Sequence, residues 1–216
     1  MQRSFTDRIW ERSEGMSEEA FQIVKNMDMD EIRTRVAVHC APLLAGVKIS
    51  NLLTVPKTQK KTIIRMFART HISICTLWES EEKVTFLLYE REMAENYLNQ
   101  KNVKNLMERL GYRNMSLQTV LERVGRRYTS HMENGGCFPH EIGLLLGYPP
   151  EDVEGFMIHQ GKNFLYAGYW KVYGDPLEAE KTFRLYDRAQ SVVMAMADQG
   201  RNIRQILDMC RKIGVC

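Results

Sequence analysis

The sequence predicts an α+β protein, helix-rich, with one small and mainly antiparallel sheet. Apolar residues recur at three- and four-residue intervals through most of the chain, two runs rich in β-branched and aromatic residues flank a short polar stretch near its middle, and glycine or proline marks most of the boundaries. Of 216 residues, 44% are apolar and 26% charged, ordinary proportions for a globular chain. A chain of this length buries roughly 70% of the surface it exposes when unfolded, enough for a core without disulfides or metal. A single domain over 17–216 is expected behind a loosely attached segment, 1–16.

Ser17 is an N-cap with Glu18 and Glu19 in the first turn, and Ala20, Val24 and Met27 share a face, which predicts a helix over 17–27. A short helix over 30–38 is expected to stop before His39-Cys40-Ala41-Pro42, because proline disfavours helical geometry in the residue ahead of it. Beyond the breaker Pro56, Ile63, Ile64 and Phe67 give 58–69 the spacing of a cationic amphipathic helix. The runs 72–78 and 83–89, around Glu79-Ser80-Glu81-Glu82, read as a β-hairpin.

Helical patterns then cover 92–110, broken near 99–102, and 116–130, where Ser116 caps. Pro139 and Pro150 each open a short helix, ending at Gly147 and Gly161. Residues 163–173 alternate as one strand, with Phe164, Tyr166, Gly168, Trp170 and Val172 on one face; the central glycine suits a close approach by another group. A long helix over 176–196 carries Ala179, Phe183, Tyr186, Ala189, Val193 and Met196 in register, and 201–213 adds another. Leu110-Gly111-Tyr112 is echoed by Leu146-Gly147-Tyr148, two helix stops in which glycine turns left-handed and the next residue folds back.

Net charge is +3 and the pI about 8.6, with basic residues dispersed among acidic ones, so no nucleic-acid surface is implied. The densest basic run, Lys57, Lys60, Lys61, Arg65 and Arg69, reads as the solvated face of a helix. No run approaches the ~18 apolar residues of a membrane span, and Arg8, Glu11, Arg12 and Glu14 interrupt any signal-peptide core, so no membrane association and a cytoplasmic location are expected. Five irregularly spaced cysteines, Cys40, Cys75, Cys137, Cys210 and Cys216, are expected as thiols.

Chemistry concentrates in 137–175, where histidines, acids, glycines and aromatics crowd together. The blocks 39–48 and 137–173 are expected to line one cleft for a small anionic or planar ligand. Lys48, His140, Glu141 and Lys162 would be its polar groups and Tyr166 and Trp170 its wall. Neither a phosphate loop nor a G-x-G-x-x-G occurs, which excludes a claim to a nucleotide fold. A second reading gives Cys40, Cys137, His140 and His159 to a metal or redox centre, since Cys137-x-x-His140 sets two donors about one turn apart. His140-Glu141 nevertheless lacks the second histidine of a zincin helix. Nucleophilic catalysis by Cys40 or Cys137 would need a base brought from elsewhere in the fold. A third reading is a non-enzymatic module whose C-terminal helix meets a protein partner. No cofactor is singled out.

Cys137-Phe-Pro-His-Glu-Ile-Gly, Leu146-Gly-Tyr-Pro, Glu151-Asp-Val-Glu-Gly-Phe and Gly168-Tyr-Trp-Lys-Val-Tyr-Gly174, with His39-Cys-Ala-Pro and Leu44-Ala-Gly-Val-Lys48, resemble one known family. It is the bacterial family DUF3793, a domain of unknown function similar to proteins of anaerobic Firmicutes, and the resemblance spans about residues 30–190. It implies no assigned activity and supplies no catalytic residues. An association of such proteins with flavodoxin and iron-handling genes implies a leaning towards redox or metal chemistry.

Overall fold

The computed structural model describes residues 31–214; the expected segment 1–16 and the expected helix over 17–27 lie outside the described residues. In chain order the elements are α1 (Ile32–Leu44), β1 (Ser50–Pro56), a 3-10 turn (Lys57–Gln59) running into α2 (Lys60–Phe67), β2 (Ile72–Glu79), β3 (Lys83–Glu90), α3 (Arg91–Leu98) and α4 (Lys101–Arg109). They continue with α5 (Leu117–Asn134), α6 (Ile142–Leu145), α7 (Pro150–His159), β4 (Tyr166–Ala167), β5 (Lys171–Val172), α8 (Pro176–Asp198) and α9 (Ile203–Ile213). The fold is α+β and helix-rich, with an antiparallel sheet in the order β1-β3-β2 and a two-stranded ribbon β4-β5. Among the described residues no helix is long and apolar enough to cross a membrane.

Two compact units make up the chain. Lys48–Phe164 forms one, which is inserted in sequence; the described residues up to Val47 and from Leu165 onward form the host unit.

In the inserted unit β3 is the central strand and is buried on both faces, Val84, Phe86 and Leu88 on one and Thr85, Leu87 and Tyr89 on the other. Such two-sided burial explains why its sequence reads as a continuous apolar run rather than an alternation. The hairpin turns through a bond from Ser80 N–H to the Lys83 carbonyl at 2.8 Å. The register of β2 slips between Thr76 and Trp78. At that bulge the Leu77 carbonyl, which the ladder leaves over, accepts from Thr129 Oγ1 on α5 at 3.1 Å. Leu87 and Tyr89 of the sheet, Leu106 and Met107 of α4, Val120, Leu121 and Val124 of α5, and Ile142, Leu144 and Leu145 of α6 form one core. Each side chain of that size stabilises by about 1.5–3 kcal/mol on burial. Part of the basic run is tied down, since Lys57 and Lys60 both pair with Glu79.

In the host unit α1 packs against α8, and α9 joins both. The helix expected to end at residue 38 continues through Pro42 to Leu44. Pro42 brings no N–H to the Val38 carbonyl four residues earlier; Gln190 of α8 donates to that carbonyl instead, at 3.4 Å. Val36, Ala37, Cys40, Ala41, Leu43 and Leu44 are all buried, and this burial outweighs the local preference of the X-Pro step. His39 and Cys40 therefore lie within the helix rather than beyond its end. The apolar stripe of α8, from Ala179 through Phe183, Tyr186 and Ala189 to Val193, is buried as its spacing requires.

The expected strand over 163–173 is instead a tight ribbon: Tyr166 pairs with Val172 and Ala167 with Lys171, and Gly168 N–H bonds the Trp170 carbonyl at 3.0 Å across the turn. Gly168 lies against the Phe183 ring, where a Cβ would stand 2.3 Å from a ring carbon. The missing side chain lets the ribbon fold flat onto α8, and the chain reverses where a strand would have run on.

Candidate functional site

A buried polar cluster of the inserted unit is assembled around Glu141 from α5 and from two turns. Helix α5 ends at Gly135, whose positive φ of 66° reverses the chain. Residues 136–141 then come back along the helix, with His131 Nδ1 and the Gly136 carbonyl 2.6 Å apart. The helix expected to begin at Pro139 is reduced to the single turn of α6. Ahead of it, Ile142 N–H bonds the Pro139 carbonyl at 3.1 Å and Gly143 N–H the His140 carbonyl at 2.9 Å. Those two tight turns aim the side chains of His140 and Glu141 in different directions.

Glu141 goes inward and is fully buried. Its Oε1 accepts from Arg127 Nη1 at 2.5 Å and from the Tyr112 hydroxyl. Tyr112 is delivered by the stop after α4: Gly111 has φ of 91°, and Tyr112 N–H returns to the Met107 carbonyl at 2.9 Å. Arg123, one turn before Arg127, lies over the Tyr112 ring with Cζ 4.8 Å from its centroid and bonds the Gly111 carbonyl at 2.8 Å. Burial, then the bond to Glu141, push the Tyr112 hydroxyl up to about 12. Burial pulls Arg127 down, but its bond with Tyr112 and the charge of Glu141 outweigh that and raise it. The second carboxylate oxygen of Glu141, Oε2, is buried with no hydrogen-bond partner among the described residues.

His140 turns outward and is only half-buried. It sits between two phenyl rings, Phe138 at 5.8 Å and Phe156 of α7 at 5.7 Å between centroids, each 37% exposed. Phe138 is itself held edge-on by Tyr128 and His131 of α5. Among the described residues neither ring nitrogen of His140 has a hydrogen-bond partner. Burial lowers its pKa, the charge of Glu141 opposes that shift, and the charge of Arg127 adds to it. The imidazole is therefore neutral near pH 7, offering one donor and one acceptor. The guanidinium of Arg127, whose charge acts on His140 and which Glu141 pins from within, keeps 36% of its side chain in solvent.

Of the residues singled out by sequence, His140 and Glu141 meet in this cluster. Lys48 has a different seat: it is buried, with Nζ 5.5 Å from the centre of the Tyr148 ring and 3.3 Å from Asn51 Oδ1. The second Leu-Gly-Tyr stop places Tyr148 there, and Tyr97 holds its carbonyl at 2.6 Å. His159, the last residue of α7, and Lys162, just beyond it, are exposed. Tyr166 and Trp170 belong to the host unit, where they pack on Phe183 at 5.8 and 4.5 Å between centroids. Cys40 is buried in α1 and Cys137 is exposed. Among the described residues no group of three His, Cys, Asp or Glu side chains could hold a metal ion.

Sequence reasoning missed Arg127, Tyr112, Phe138 and Phe156. Arg127 follows Arg126 in a polar helix and reads as one more solvated base. For Tyr112 a signal did exist, the glycine stop that fixes where the next side chain must fold.

The model of one protein family, described as a protein of unknown function (DUF3793), matches residues 36–207. No curated protein and no solved structure matches the chain.

Proposed function

The chain belongs to the DUF3793 family, and from the arrangement around His140 we propose that it binds a small anionic or planar ligand on the face formed by Phe138, His140, Phe156 and Arg127. The observation that carries this reading is an imidazole flanked by two part-exposed rings, with neither nitrogen hydrogen-bonded among the described residues, near a guanidinium pinned from within. A surface imidazole satisfied by water alone has no need of flanking rings. Here the rings supply apolar contact, the imidazole a hydrogen bond, and the arginine a charge whose direction is fixed before any ligand arrives. Glu141 and Tyr112 act as the positioning pair for that arginine. The four cysteines among the described residues are thiols, which suits a reducing compartment such as the cytoplasm.

Fragment screening by amide chemical-shift mapping on the full chain tests the reading. Planar acids are expected to shift resonances in 127–141 and around Phe156, and Phe156→Ala, a change at a part-exposed ring, is expected to abolish those shifts while leaving the spectrum folded. Shifts confined to other regions, or insensitivity to Phe156→Ala, would remove the site from this face.

A further inference from the structure

The unused nitrogens of His140 narrow the ligand class, given that the face around it is a ligand site as just read. Arg127 is a permanent cation, whereas His140 is a titratable group whose charged form burial disfavours. Few other charges act on it. Glu141, its neighbour in the chain, is sealed and already answered by Arg127 and Tyr112. From α5, His131 is engaged with the Gly136 carbonyl and Tyr128 meets Phe138 through its ring. Cys137 is exposed one residue before Phe138. On α7, Asp152 and His159 lie four residues before and three after Phe156, and the charges that act on His140 besides its burial are those of Glu141 and Arg127.

An anion entering this face would therefore meet one fixed charge and one group ready to become charged. Placed against His140, it would favour the protonated imidazole, which donates from both nitrogens. A neutral ligand would gain nothing from that second donor. A bare anion would leave the Phe138 and Phe156 rings with nothing to cover.

We propose that the ligand is an oxyanion, a carboxylate or a phosphate monoester, carried on a planar ring that packs against Phe138 and Phe156, and that Arg127 and His140 take the anion together while His140 gains one proton from solvent. Binding and proton uptake are then one linked event, and the affinity rises as the pH falls between the values at which free and bound His140 titrate.

Titration calorimetry of the full chain in buffers of different ionisation heat tests this. The probes are benzoate and phenyl phosphate, with benzamide (planar, uncharged) and inorganic phosphate (charged, without a ring) for comparison. The two ring oxyanions are expected to bind with uptake of up to one proton, and their affinity to rise by up to about tenfold per unit fall in pH. In His140→Asn the uptake is expected to vanish while weaker binding persists. Binding without uptake, uptake unchanged in His140→Asn, or equal affinity for benzamide or inorganic phosphate would overturn the inference and leave the ligand site standing. Failure of all four probes, with no shifts in 127–141, would overturn the ligand site itself.

Discussion

Tyr112, bonded to Glu141, and His140, which feels the charge of Glu141, respond to pH in opposite senses. Tyr112 holds its proton more tightly in the folded chain than in the unfolded one, so its contribution is fully present below about 10 and is lost as the pH rises through about 12. Tyr112→Phe deletes one of the two bonds to a buried carboxylate oxygen and is expected to cost about 1–3 kcal/mol at pH 7. Denaturant midpoints should show that gap closing towards pH 12; a constant gap would mean the hydroxyl does not carry it. His140 runs the other way, its folded value lying below its unfolded one. Stability is therefore complete above about 6.5 and falls as the pH drops through the lowered native value. His140→Gln should lose less stability than the parent between pH 7 and pH 5, read as the change in urea midpoint, and parallel losses would count against a lowered native value for the half-buried imidazole. The His140-Glu141 pair was legible because an acid next to a histidine stands out between Pro139 and an apolar run. Its partners were not, since Arg127 and Tyr112 come from 14 and 29 residues away and nothing in local periodicity ties them to Glu141.

Among the elements, the ribbon β4-β5 depends on one absent methyl group. Gly168→Ala would set a Cβ 2.3 Å from a Phe183 ring carbon, and that ring is hemmed in by Tyr166, Tyr169 and Trp170, with Trp170 as near as 4.5 Å. A loss of about 1–3 kcal/mol is expected from such overpacking, with partial recovery when Phe183→Leu is added. A thermal melt of both variants checks it; an unperturbed single variant would show the ring free to move. Caps made several element boundaries legible, though not the start expected at Pro139. Ser116 accepts from Thr119 N–H at the start of α5, Asp175 from Leu177 and Glu178 at the start of α8, and the break between α3 and α4 falls where polar residues interrupt the stripe. Reading failed where tertiary contact overrides local preference. Pro42 stays helical because α8 supplies Gln190, and 163–173 folds back because Phe183 fits under Gly168. Neither partner is near in sequence.

For the whole molecule, the inserted unit is one uninterrupted stretch with its own sheet and its own core. Residues 48–164 expressed alone are expected to fold cooperatively and to keep the His140 face, as judged by a single thermal transition and dispersed amide resonances. A fragment without fixed tertiary structure would show that its core is incomplete by itself. The division into two units had no marker in composition. Neither junction, at Val47-Lys48 or Phe164-Leu165, carries the Pro, Gly or Ser richness of a linker, so the split is visible only in which residues touch.

The insertion also sets a timetable for biosynthesis. Helix α1 is made before the inserted unit, with nine of its residues destined for burial, but α8 follows only after the whole stretch 48–164 has been made. At translation speeds of about 5–20 residues per second, α1 waits on the order of ten seconds for the surface it is shaped to meet. The inserted unit can finish in that interval, while the helix made before it stays an exposed greasy strip, the sort of segment that nascent-chain chaperones hold.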